Sequence, residues 1–304
     1  MCTTIAAMDK LRAMQAFIHI AEEGSLTAAA RVMSSSLPAM VRTLAALEAH
    51  LGVRLLNRTT RRISLTEEGR RHLQSCKLLL SGLEDAEAAL THEAGEPAGH
   101  LTITTPMMFG QMHVAPAVTR FAQHFPKMRC SVMLVDRVVN LLEEGVDVGV
   151  RIGALDDSTL VAQSCGSIRR VVVASPAHLR QHGTPQHPKD LLKANCVCVT
   201  GHTLGWGPFN DQGRQLRLAV SGNLEFNHNA PAIEACVAGV GFGVFMSYQV
   251  APFLKTKQLR VVLAEFEPPP LPLSLIYPHA RLLPTRSRVF IEWMKNELSQ
   301  FKDR

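Results

Sequence analysis

The chain is 304 residues long, with 46% hydrophobic and 19% charged residues and a formal net charge of +6. This is globular composition, which excludes a disordered, collagen-like or purely coiled-coil chain, and the length suggests roughly two domains. The longest apolar runs fall well short of the ~18 residues that a membrane span needs, so no membrane partner is expected.

Met1 to Ala7 offers neither a basic leader nor a long apolar region before Asp9, Lys10 and Arg12, so no secretion signal is read and a cytoplasmic location is expected. The seven cysteines (Cys2, Cys76, Cys130, Cys165, Cys196, Cys198 and Cys236) form no Cys-x-x-Cys pair and read as buried small hydrophobes. The charge is unevenly placed. Residues 1–65 carry eight basic against four acidic side chains, a net +4 of the total +6. A basic head on a near-neutral body suggests a polyanion-binding module. Its one aromatic residue, Phe17, gives little for single-stranded bases to stack on, which favours double-stranded DNA as the partner.

Leu11, Met14, Phe17, Ile18 and Ala21 recur at helical spacing, predicting a helix over 9–23 that ends at Gly24. Ser25 caps a second, Ala-rich helix from Leu26 to Met33. After the polar break Ser34-Ser35-Ser36, Ser36 caps a third helix with Pro38 in its first turn, running to about His50 and ended by Gly52. Met40, Leu44, Leu47 and Leu51 should face the core, leaving Leu37, Pro38, Val41, Arg42 and Ala45 outside. Two short helices joined by a tight polar turn fit a helix-turn-helix whose second helix enters the major groove. Leu55-Leu56-Asn57 and Ile63-Ser64-Leu65 bracket Arg58-Thr59-Thr60-Arg61-Arg62 as a β-hairpin with a basic tip, a wing able to reach phosphates or a minor groove. Candidate DNA contacts are Ser25, Thr27, Arg31, Ser34, Ser35, Ser36, Leu37, Pro38, Val41, Arg42, Arg58, Thr59, Arg61 and Arg62.

Thr66 caps a further helix with Glu67 and Glu68 in its first turn. Leu73, Cys76, Leu80, Leu83, Glu87 and Leu90 form a 3-4 repeat with one polar position, an imperfect coiled-coil seam for a homodimer or a homotetramer built from dimers. A helix packed on its own domain is the alternative. The helix should stop near Gly95-Glu96-Pro97-Ala98-Gly99.

Beyond this break, strands are expected at His100–Thr105, Arg129–Val135 and Asp147–Arg151, with helices near Val114–His124 and Val138–Glu144. The pattern repeats through Arg170–Ala174, Leu191–Leu192, Val197–Thr200, Gln215–Val220 and a helix at Pro231–Ala238. Such alternation predicts α/β lobes with largely parallel sheets and a ligand cleft beyond the strand ends.

The chain resembles the LysR-type transcriptional regulators. The resemblance is carried by Met8-Asp9-Lys10-Leu11, Phe17, Gly24-Ser25-Leu26-Thr27-Ala28-Ala29-Ala30, Ser36, Pro38-Ala39, Arg42, Leu47-Glu48, Leu51-Gly52-Val53-Arg54-Leu55, Asn57-Arg58-Thr59 and Leu65-Thr66-Glu67-Glu68-Gly69. Arg151-Ile152-Gly153, the segment Ala174 to Leu191, and Ala238-Gly239-Val240-Gly241 extend it over nearly the whole chain. Two positions depart from the family pattern: Leu37 stands where Gln or Ser is usual, and Val41 where Ser is usual.

The resemblance implies an α/β chain with an N-terminal winged helix-turn-helix (1–65), a linker and dimerisation helix (66–92) and a C-terminal two-lobed, periplasmic-binding-protein-like effector domain (93–304). Lobe one would take about 93–163 and 266–304, and lobe two about 164–265, with crossover strands near Leu160–Ile168 and Val261–Glu267. It further implies effector contacts at Thr104, Thr105, Met107 and Phe109 in lobe one and at Thr200, His202, Thr203, Asn227 and His228 in lobe two, suited to a small carboxylate. No catalytic set, metal site or cofactor is read. His178, His182 and His187 straddle a turn, there is no phosphate-binding Gly-rich loop, and Glu143-Glu144 are sequence neighbours that would not converge. The alternative is a solute-binding protein without a DNA-binding role.

Overall fold

The structure is a computed structural model that describes residues 9–58, 63–90, 97–154, 160–200, 205–278 and 283–302. In the head, α1 (Lys10–Glu23), α2 (Leu26–Val32) and α3 (Leu37–Leu51) begin at side-chain caps. Asp9 Oδ1 accepts from Arg12 N at 3.1 Å, and the hydroxyls of Ser25 and Ser36 accept from Ala28 N and Ala39 N, both at 3.3 Å. These bonds satisfy amide groups that the first helical turn leaves without partners. Ala29 and Ala30 let the helices close on Phe17, Ile20, Met40, Leu44 and Leu47 in one buried core. Leu51 does not join it. It is the last residue of α3, just before the left-handed turn at Gly52 (φ 71°), and is 37% exposed.

The wing strands β1 (Leu56–Arg58) and β2 (Ile63–Leu65) pair antiparallel, and the Glu48 carboxylate accepts from Leu55 N at 2.9 Å, tying α3 to the wing. α4 (Glu67–Leu90) starts at Thr66, whose hydroxyl accepts from Gly69 N at 2.9 Å. Its first turns lie along α1: Cys76 is fully buried, Leu73 packs on the same core, and Lys77 Nζ meets Glu22 Oε1 at 2.6 Å. Leu73 and Cys76, expected on a dimer seam, are therefore consumed by the head itself. Leu80 is half-buried, while further along the helix Leu83 is 37% exposed, with Leu79 beside it at 58%. The side chains of Arg58, Glu87 and Leu90 lie outside the described residues, as do Thr59, Arg61 and Arg62.

Lobe one is a five-stranded sheet in the order β4 (Met128–Leu134), β3 (Gly99–Thr105), β5 (Val148–Ile152), β14 (Leu271–Pro278), β6 (Leu160–Ile168). β3 runs parallel to both neighbours, whereas β14 is antiparallel to β5 and β6, so the sheet is mixed and not largely parallel. One helical path follows β3: α5 (Met107–Phe109), a π-helical stretch Gly110–Val114, then α6 (Ala115–His124). The helix expected at Val138–Glu144 is a turn instead. Asn140 Oδ1 accepts from Leu142 N, Arg137 grips Glu144 with both guanidinium Nη atoms at 2.6 Å, and Gly145 (φ 63°) ends the segment, so local side-chain bonds replace a helical ladder.

Lobe two contains β7 (Arg170–Ala174), α7 (Pro176–His182), β8 (Val197–Val199), β9 (Trp206–Asp211), β10 (Arg214–Leu218), β11 (Leu224–Phe226), α8 (Asn229–Val237), β12 (Gly243–Met246), α9 (Ser247–Lys255) and β13 (Arg260–Val262). Its central strands pair antiparallel as β12-β7-β13, β11 joins β8 in parallel, and β9-β10 is a hairpin whose first strand the sequence pattern did not announce. Leu191 and Leu192 lie in a 3-10 turn, Pro188–Lys193. α10 (Thr285–Glu297) returns to pack on lobe one through Phe290, Ile291 and Met294.

The chain crosses between lobes twice. β6 completes its pairing with β14 at Ile168 and passes through Arg169 straight into β7. The return differs from the expected strand at Val261–Glu267: β13 stays in lobe two, and Glu267-Pro268-Pro269-Pro270 makes the crossing before β14. Three prolines lack the N–H groups a sheet ladder requires. Arg169 Nε and Nη2 donate to the two Glu267 carboxylate oxygens, each at 2.7 Å, so one ion pair ties the crossings together.

Two consequences for stability follow from the head. A Cβ on Gly69 would stand 2.0 Å from the backbone oxygen of Leu55, which cannot move aside like a side-chain tip. Gly69→Ala should therefore cost the head about 3 kcal/mol, the upper end of overpacking penalties, read as an earlier urea transition and loss of DNA binding. His72 stacks on Phe17 with ring centroids 5.7 Å apart, and its buried Nε2 has no hydrogen-bond partner, so burial lowers its pKa from the usual 6.5. As pH falls below 6.5 the unfolded chain takes up this proton first, so stability declines with acidification until the folded-state pKa is passed. Urea midpoints of the head should fall between pH 7 and pH 5, and His72→Phe should flatten that dependence.

Candidate functional site

The first site is the exposed edge of the head. The turn between α2 and α3 is closed by Ser35 N donating to Ala30 O at 2.8 Å, with Ser34 left-handed at φ 49°. Beyond it the N-terminal end of α3 presents Leu37 (43% exposed), Pro38 and Arg42 to solvent, with Val41 half-buried. Thr27, Arg31 and Ser34 are exposed on the same two-helix unit, while the Ser25 and Ser36 hydroxyls serve as caps. Two short helices with the second helix's N-terminal turn uncovered can enter a major groove. Leu37 and Val41 bring apolar surface there, able to pack on a thymine methyl and unable to hydrogen-bond a base edge.

The second site lies between the lobes, a cavity of about 680 Å³. Lobe one contributes Pro106, the segment Val135–Val139, the strand end Arg151–Ala154, Leu160 and Ile276. Lobe two contributes Arg170, Val199, Thr200, Gly205–Gly207, Asn227–Asn229 and residues of β12 and α9 including Tyr248 and Gln249. Of the expected effector contacts, Thr200, Asn227 and His228 are on the wall.

Four of the other expected contacts are placed off this wall. Thr104 and Thr105 are fully buried, with Thr105 packed beneath Gly110, whose Cβ would meet its methyl at 2.5 Å; the helical path after β3 covers the strand end. Phe109 is a core residue, edge-on to Tyr248 at 5.0 Å. Met107 is off the wall, yet its sulfur lies 3.0 Å from His228 Nε2. Because His228 Nδ1 accepts from Ala230 N at 3.2 Å, Nε2 carries the proton and donates to that sulfur, a contact between lobes. His202 and Thr203 lie outside the described residues.

The electrostatics of the wall rest on two arginines that were not among the expected contacts. Arg151, near the end of β5, has a buried Nη2 with no hydrogen-bond partner, and burial together with the neighbouring Arg137 charge lowers its pKa. Arg170, the first residue of β7, donates from Nη1 to Gly207 O at 2.7 Å, and burial together with Arg217 lowers its pKa. Neither has a carboxylate within ion-pair distance among the described residues. Asp136, also on the wall, accepts from Met107 N at 2.9 Å. A basic residue inside an otherwise apolar strand, Val148-Gly149-Val150-Arg151 and Arg170-Val171-Val172-Val173, was the sequence signal.

Other titratable groups are structural. Cys196 and Cys236 are buried, which pushes both thiols up to about 12 and keeps them protonated. His178 bonds Gly239 O through Nδ1 at 3.0 Å, and His187 pairs with Asp211 at 3.3 Å. Among the described residues no group of three or more His, Cys, Asp or Glu side chains could hold a metal ion.

A winged helix-turn-helix head, a long helix and a two-lobed body with a central cleft define the class of DNA-binding transcriptional regulators that carry a ligand-sensing domain. The family model described as the LysR substrate binding domain matches residues 94–299, and that of the bacterial regulatory helix-turn-helix protein, lysR family, matches residues 11–70. The chain is 33% identical over 297 residues to an HTH-type transcriptional repressor of Pseudomonas aeruginosa, covering 94% of this chain and 92% of that one. Among solved structures it resembles CrgA, a LysR-type transcriptional regulator from Neisseria meningitidis, at 30% identity and TM-score 0.60 over 94% of this chain and 98% of that one. Full-length LysG from Corynebacterium glutamicum with bound effector Arg shares the fold at TM-score 0.63 and 19% identity, over 97% of this chain and 99% of that one. This protein belongs to the LysR family, and its DNA-binding head sets aside the solute-carrier alternative.

Partly buried guanidinium groups without counter-ions cost stability. Arg151→Met should raise the thermal transition of the ligand-free protein by roughly 2–4 °C for every kcal/mol recovered, measured by calorimetry against the exposed Arg42→Met as control.

Proposed function

We propose that this regulator binds duplex DNA through α3 and the wing, and that a small effector bearing a carboxylate enters the interlobe cleft and modulates that binding or the transcription it controls. In this reading residues 1–65 form the DNA reader, 66–92 the helix that pairs two copies, and 93–304 the sensor. The protein works as a homodimer or homotetramer in the cytoplasm. The observation that carries the effector is the cavity of about 680 Å³ walled by both lobes, with Arg151 and Arg170 lacking carboxylate partners among the described residues. Exposed Leu79 and Leu83 support pairing through the later turns of α4, and two joined heads multiply affinity for paired half-sites.

The mechanism is linkage. An effector that binds one arrangement of the lobes more tightly shifts the population of that arrangement, and with it the spacing of the heads on DNA. A ligand with equal affinity for both arrangements would change nothing.

Gel-shift titration of the full-length protein on promoter fragments, with and without a panel of small carboxylates, tests the reading. The shift should disappear when residues 1–65 are removed, and at least one carboxylate should change the apparent affinity. Absence of any DNA binding would refute the proposed operator reading. Leu37→Gln and Val41→Ser should each alter operator affinity or preference by about 1–3 kcal/mol at a contacted base pair, and unchanged binding in both would remove these side chains from the DNA contact.

A further inference from the structure

The two wall arginines sit on opposite sides of the lobe crossing: Arg151 near the end of β5 in lobe one, and Arg170 at the start of β7 in lobe two. Each is part of a pair of like charges. Arg137 stands near Arg151, and Arg217 near Arg170. Compensation is incomplete at both ends. In lobe one Glu144 is held bidentately by Arg137, though its charge is also felt at Arg151, and Asp136 is engaged by the Met107 amide. In lobe two the hydrogen-bond partner of Arg170 among the described residues is the Gly207 carbonyl. The wall also carries an apolar set, Val139 and Ile276 from lobe one and Val199, Trp206 and Val244 from lobe two.

A single anionic group at one pole would leave the other guanidinium without a counter-ion. Desolvated charges favour partners of opposite sign, and a rigid or short apolar body favours the wall between them. Resting on the reading of the cleft as an effector site, we infer that its ligand carries two anionic groups on an apolar body, one held by Arg151 in lobe one and the other by Arg170 in lobe two. Such a molecule is itself a tie between the lobes. Once one end is bound, the second contact is intramolecular, and it forms only at the lobe separation that matches the ligand's length. Length would then select the lobe arrangement, which is the differential affinity that linkage requires.

The test uses the full chain and matched acids: adipate against hexanoate, pimelate against heptanoate, terephthalate against benzoate, with affinities by calorimetry. A diacid of fitting length should bind at least about 100-fold more tightly than its monoacid partner, the gain expected of a second tethered contact. Arg151→Gln and Arg170→Gln should each reduce the diacid to the affinity of the monoacid while leaving the protein folded by circular dichroism. Thr200→Trp and Val138→Trp, both at exposed wall positions on opposite lobes, should abolish binding of either class. Equal affinity of monoacid and diacid, with binding lost in the Trp variants, overturns the two-anion inference and leaves the cleft reading standing. Diacid binding that survives both Trp variants overturns the cleft reading and the inference together. Failure of every diacid to bind at millimolar concentration overturns the inference, as does diacid affinity unchanged by both Arg→Gln variants.

Discussion

The cleft exists because the chain passes between its lobes twice and the two passages are bound to each other. Arg169 and Glu267 hold them with two hydrogen bonds of 2.7 Å, and Glu267 is only 13% exposed, so this bidentate pair is less screened than an ordinary surface ion pair. The Glu267 carboxylate, hydrogen-bonded to the Arg169 guanidinium, holds that guanidinium above its ordinary pKa. One passage is the unbroken run from β6 into β7, and the other is the proline segment after Glu267. The two adjacent crossings are thus tied at one point, next to the register of β6 on β14.

On the cavity side of these crossings the electrostatics are deliberately incomplete. Other arginines have carboxylate partners: Arg137, on the same wall, with Glu144, and away from it Arg120 with Glu297 and Arg286 with Asp147. Arg151 and Arg170 have none within ion-pair distance among the described residues, and both are held below the ordinary arginine pKa by burial and by a like charge. Sites that hold desolvated charge trade stability for recognition. The contact between His228 and Met107 joins the lobes beside the same cavity.

The head obeys a different constraint. Its three helices are short, and α4 completes their core with Cys76 and Leu73, so the helix that leads to the body is also a structural member of the DNA reader. A reorientation of α4 would therefore reach α1 directly, through the Phe17–His72 stack and the Lys77–Glu22 pair. The part of the apolar repeat that the head leaves exposed starts later on the helix, at Leu83.

The sequence by itself determined what depends on neighbours a few residues apart. The caps at Ser25, Ser36 and Thr66, the left-handed stops at Gly24 and Gly52 and the wing strands all follow from local spacing and composition, while the strand at Leu160–Ile168 was implied by the family resemblance. What depends on distant partners was decided only by the tertiary structure. The apolar repeat of α4 could not say whether its first half would meet α1 or another copy. The strand pattern could not give pairing direction, which turns on where β14 returns. Thr104 and Thr105 looked like a ligand's hydroxyl partners until the helical path after β3 covered them. Arg151 and Arg170 are 19 positions apart in the chain and share a cavity only because the crossing brings the two lobes face to face. Hydrogen bonds and caps are short-range and written locally. Burial and uncompensated charge are properties of what the fold brings near.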